Sequence, residues 1–162
     1  TVYFTFHTKP ALLREAYSYA VMGDERPQIP QDQPWYRQMV DATDAVGGLR
    51  ALVSGVGEIA KRVAPLATAA RDSARSDPEV HEVVAFQERW QAEGYAEMLE
   101  ILVAKSALRP GLEPQRANDL LLLLAGEDVY STLVERAGWT HEAWIDWTTA
   151  ALAHHLFGIE ST

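Results

Sequence analysis

The sequence predicts an all-α protein, and three observations carry that prediction. Apolar residues recur at spacings of three and four along nearly the whole chain. No stretch alternates apolar and polar residues for long enough to make a half-buried strand. Helix-start signals stand ahead of the apolar runs, at Ser76-Asp77-Pro78-Glu79, at Pro114 and at Thr140.

In chain order, Leu12, Leu13, Ala16, Tyr17 and Ala20 form one stripe, a helix from about Lys9 to Met22. Residues 23–34 are polar and hold three prolines, the clearest linker in the chain. A short helix is expected from Trp35 to Thr43. Leu49, Leu52, Val53, Val56, Ile59, Ala60 and Val63 then mark a longer one, which Pro65 ends or kinks before helix resumes to about Ala74. Gly55-Val56-Gly57 imitates a dinucleotide fingerprint, but that motif needs a βαβ unit and a second strand. The residues after Gly57 are Ala-rich and helical in pattern. The glycines therefore read as small residues that allow close helix packing, at about 1 kcal/mol each in helix propensity.

Asp77 caps the next helix, with Pro78 and Glu79 in its first turn. It runs through Val80, Val84, Phe86, Trp90, Met98 and Leu102 to about Leu108, and Arg109-Pro110-Gly111 ends it. Pro114 opens a helix that carries five consecutive leucines and reaches Gly138. Thr140 caps a last one through Trp144, Trp147, Ala151 and Leu156.

The formal net charge is -9, which taken alone argues against nucleic acid. The distribution changes that. Residues 1–22 hold Lys9, Arg14 and Glu15, a net of +1, so -9 for the whole chain leaves -10 for residues 23–162. The longest apolar run, Leu120 to Ala125, is far too short to span a bilayer, and no membrane partner is expected. The absence of cysteine excludes disulfides and thiolate metal sites and fits a reducing cytoplasm. His154 and His155 point about 100° apart on a helix and cannot share an ion. No metal or cofactor is expected. No serine elbow, phosphate loop or placed pair of acids points to an enzyme.

The first thirteen residues, Thr-Val-Tyr-Phe-Thr-Phe-His-Thr-Lys-Pro-Ala-Leu-Leu, order an aromatic cluster, a turn and a new helix. A lysine in a first helical turn faces the positive end of the helix dipole. Lys9 becomes favourable there if an anion sits at the helix N-terminus, so it suits a phosphate clamp. Thr1, Tyr3 and Thr5 supply hydroxyls of the kind that bond phosphate oxygens, with Phe4 beside them. The alternative is an ordinary helix corner with aromatic core residues.

Tyr3-x-x-Phe6-x-x-Lys9-x-x-Leu12-Leu13 resembles the junction between recognition helix and following helix in TetR-family transcriptional regulators. Thr1 matches as well. Val2 replaces the usual leucine, Thr5 a frequent histidine or tyrosine, and Pro10 a frequent acid. Residues 133–147, with Gly138-Trp139-Thr140, are similar to the end of the ligand-binding domain in one large group of that family. The resemblance implies a homodimer whose helix-turn-helix units read a palindromic operator, and a cavity in the helical body for a small-molecule effector. It implies that residues 1–22 are the remnant of a helix-turn-helix domain and residues 23–162 the ligand-binding and dimerisation domain. The implied function is a repressor released from operator DNA by a small hydrophobic molecule. Without the upstream helices this chain is not expected to bind an operator. A helical dimerisation module without ligand and a helical cofactor-binding enzyme are the alternatives.

Trp90, Phe86, Tyr95, Met98 and Tyr130 lie on the two longest helices, between which pockets of helical proteins form. With Trp35, Met39 and Asp128 they are the candidate cavity lining. Otherwise the apolar ones are core. Glu127 and Asp128 follow the five leucines, one or both close to an apolar face, and read either as a polar anchor of the cavity or as a turn rotated to solvent. The resemblance places the last two long helices in a four-helix dimer interface, with Leu122, Val129, Trp144, Trp147 and Ala151 as its contacts. The alternative for the two tryptophans is intrachain core.

Overall fold

In a computed structural model, residues 8–22 and 30–160 are described. Among them every regular element is helical, as the periodicity predicts: α1 Lys9–Met22, α2 Pro34–Asp41, α3 Ala45–Ala74, α4 Pro78–Val103, α5 Pro114–Ala125, α6 Glu127–Tyr130 and α7 His141–Phe157. A single 3-10 turn, Pro30–Asp32, leads into α2. Among the described residues, no helix is long and apolar enough to cross a membrane. The assignments of residues 1–5 to a reading head fall outside the described residues, as do positions 23–29 of the expected linker.

The central element is α3, which packs against α1, α2, α4, α6 and α7. Asp44 starts it by accepting the Gly47 N–H at 2.7 Å. Its glycines admit neighbours that a side chain would expel. A Cβ on Gly48 would meet Leu102 at 2.8 Å, one on Gly55 would lie inside the Trp35 ring, and one on Gly57 would meet Trp144 at 2.7 Å. The helix continues through Pro65, which lies on its exposed side with Lys61, so water can replace the ladder bond that proline removes.

The capping signals hold as read. Asp77 accepts the Glu79 and Val80 N–H groups at 3.1 and 3.2 Å, and Thr140 accepts that of Ala143 at 3.1 Å. Three boundaries differ from the sequence expectation. The short helix α2 is shifted, to Pro34–Asp41. Helix α4 stops at Val103, because the chain turns there to bring the Lys105 ammonium onto the carbonyls of Val40 and Ala42, at 2.7 and 2.8 Å. The helix expected from Pro114 to Gly138 breaks at Gly126, whose backbone is extended (φ -76°, ψ 163°). A Cβ there would stand 2.4 Å from the Leu122 carbonyl oxygen. Beyond α6 the chain widens into π-type turns over Ser131–Arg136, and Gly138, at φ +75°, reverses it.

Two hydrophobic clusters result. The larger joins α2, α3, α4, α5 and α7 around Met39, Leu49, Leu52, Leu102, Leu121, Trp144 and Leu152. The smaller fastens α1 to α3 and α4 through Tyr17, Ala20, Val63, Ala67, Val80 and Val83. The Arg62 guanidinium adds polar fastening, donating to the last-turn carbonyls of α1 at Ala20 (2.7 Å) and Val21 (3.2 Å).

Candidate functional site

A cavity of about 180 Å³ lies where the two clusters meet. Helix α1 contributes Tyr17 and Val21, and α2 contributes Trp35 and Tyr36. The floor is an aliphatic face of α3, at Val56, Ile59, Ala60 and Val63. Helix α4 supplies Trp90, Tyr95 and Met98, with Gly94 between them. Trp35 reaches its place because Gly55 has no side chain, and its ring meets Tyr36 edge-on at 5.6 Å.

One wall is charged. Glu127 lines the cavity at the break after α5, where it accepts from Arg71 Nη2 at 3.2 Å and from Gln91 Nε2 at 3.0 Å. Arg71 spends its other nitrogen on both oxygens of Asp128, at 2.7 and 2.8 Å. Glu88, Glu93 and Glu97 line the α4 side, and Glu97 accepts from Gln31 at 3.3 Å. The Tyr95 hydroxyl donates to the Ala125 carbonyl at 3.2 Å. Burial raises the pKa of Tyr95, and Glu127 adds to that; burial, helped by Glu127 and Glu88, does the same for Tyr17. These phenols stay protonated near neutral pH.

Comparison with protein-family models, with curated proteins and with solved structures finds no match.

Of the cavity residues expected from sequence, Trp35, Trp90, Tyr95 and Met98 come together on its walls. The other four lie elsewhere. Met39 is sealed in the larger core. Phe86 is 55% exposed and borders a separate shallow hollow with Arg14 and His81. Tyr130 is buried against Trp144, with its hydroxyl 3.1 Å from His141 Nδ1. Asp128 points outward and holds Arg71, while its neighbour Glu127 faces the cavity. Adjacent helical residues diverge by about 100°, so only one of the two acids could face inward. Tyr17, Val21 and Tyr36 were not expected in the lining. Tyr17 stands on the predicted stripe of the first helix, and that was its signal.

Trp144 has no exposed surface in the single chain, so it has none to give a partner; it is intrachain core over Gly57. Trp147 is 41% exposed and meets Trp139 edge-on at 5.9 Å. Leu123 on α5 is exposed too, while Leu122, Val129 and Ala151 are half-buried. Lys9 is exposed at the start of α1, its ammonium donating to Ser73 and standing 3.5 Å from the Asp77 carboxylate. Among the described residues, no group of three or more His, Asp or Glu side chains is placed to hold a metal ion.

Proposed function

We propose that this chain is the sensing and dimerisation body of a TetR-like, ligand-responsive DNA-binding regulator, a repressor released by a small hydrophobic molecule. The observation that carries the proposal is the position of the cavity, between the cluster that holds α1 and the main core. Tyr17 and Val21 of α1 form part of its wall. In the family that the sequence resembles, α1 follows the recognition helix directly. An occupant touching both clusters has different contacts when α1 shifts, and a ligand moves an equilibrium only through such a difference. Lys9 belongs to the same device. Its present partners are Ser73 in the last turn of α3 and Asp77 at the cap of α4, so a phosphate and the body compete for one ammonium.

Two expected results test the proposal. The chain sediments as a dimer, and Leu123→Glu combined with Trp147→Glu yields a folded monomer, because exposed apolar side chains anchor interfaces and a carboxylate there does not. A wild-type monomer at high micromolar concentration sinks the dimer. In a chain extended by a complete helix-turn-helix, Lys9→Ala weakens binding to operator and non-operator duplex alike and lowers the salt slope by about one. An unchanged slope removes Lys9 from the DNA contact.

A further inference from the structure

We infer that the cavity takes a compact organic cation, an ammonium group carried on an apolar or aromatic body; this rests on the reading of the cavity as an effector site. The lining combines two features that a cation alone satisfies together. Tyr17, Trp35, Tyr36 and Trp90 contribute aromatic rings, and the face of such a ring attracts an ammonium within about 6 Å. Four carboxylates border that lining, against the single guanidinium of Arg71: Glu127 is half-buried in the wall, and Glu88, Glu93 and Glu97 are exposed at the solvent edge, where an ammonium would enter. Arg71 is already engaged by Glu127 and Asp128. Among the described residues no lysine or arginine pairs with Glu88, Glu93 or Glu97.

Glu93 and Glu97 also stand one turn apart on α4, a like-charge pair whose repulsion a bound cation relieves. An anion would meet these carboxylates with no free cationic group in the lining to receive it. A neutral ligand would gain the aromatic walls and leave the carboxylates as they are. The size suits one ring with a branched head, since a dry void of about 150 Å³ accommodates benzene.

The test uses the chain as it stands and three probes of similar shape: phenyltrimethylammonium, neutral tert-butylbenzene and anionic benzenesulfonate. NMR titration follows the indole N–H signals of Trp35 and Trp90, which report both affinity and location. The cation is expected to bind about ten-fold tighter than the neutral probe, with the anion weakest. In Glu88→Gln/Glu93→Gln/Glu97→Gln that preference falls to about two-fold or less, with the neutral probe unchanged. Equal or tighter binding of the neutral probe to wild type, or a preference that survives the triple change, overturns the cation inference and leaves the cavity standing. Shifts confined to other tryptophans, or no binding by any probe, overturn the cavity as a site, and with it the effector-sensing part of the proposed function.

Discussion

Trp144→Ala is expected to lower the folding stability by about 3–5 kcal/mol, the cost of deleting a large aromatic side chain from a core that cannot collapse around the void. Every surface of this indole is used. It lies over the bare backbone of Gly57, meets Tyr130 edge-on at 5.0 Å and stacks on His141 at 6.4 Å. Its Nε1 has no hydrogen-bond partner in the structure, so the loss is one of packing. The damage spreads to a polar chain beside it, because Trp144 walls the Tyr130–His141 contact and His141 stands 3.1 Å from Glu58. A domain of this size loses roughly 2–4 °C of melting temperature per kcal/mol, which puts the drop at about 6–20 °C. Circular-dichroism melts and urea titrations measure it. The change in stability is the same at every protein concentration, whereas an interface anchor would make it vary with concentration. A loss below about 1 kcal/mol would show that Trp144 is not the keystone of this packing.

The parts of the fold that were legible in the sequence are those fixed by a few adjacent residues. Asp77 with Pro78 and Thr140 before His141 each satisfy the orphan N–H groups of a helix start, and both helices begin there. Helix ends set by distant partners were not legible. Nothing near Val103 announces that Lys105 will reach back to Val40 and Ala42. Gly126 follows five leucines of high helix propensity, and only its approach to the Leu122 carbonyl fixes the break.

The same division holds for the cavity. Trp90, Tyr95 and Met98 were legible as large apolar side chains on the long helix α4. Tyr17 was not, because its helix was assigned to the reading head, whereas here its inner face belongs to the wall. Gly55 and Gly57 were legible as packing glycines, but their partners, Trp35 and Trp144, stand on other helices at positions no local pattern specifies.

The partnership of Gly55 with Trp35 leads to an expected result in which one substitution has opposite signs at two glycines. Gly→Ala in a helix gains up to about 1 kcal/mol, from propensity and a less flexible unfolded chain. At Gly94 on α4 a Cβ meets nothing within 4 Å, so Gly94→Ala is expected to stabilise by about 0.5–1 kcal/mol. At Gly55 a Cβ would lie 2.0 Å from Trp35 Cδ2 and 2.1 Å from Cγ. Those atoms belong to the root of a rigid ring, which cannot bend aside as the tip of a flexible chain would. Overpacking of this kind costs about 1–3 kcal/mol and outweighs the propensity gain, so Gly55→Ala is expected to destabilise. It also moves Trp35 off the cavity wall, so the Trp35 indole N–H signal shifts in the unliganded protein and cavity ligands bind more weakly. Urea midpoints of the two variants decide the matter. Gly55→Ala at or above the parent's stability would mean that Trp35 has another seat of equal depth, and that Gly55 is not what holds its ring on the cavity wall.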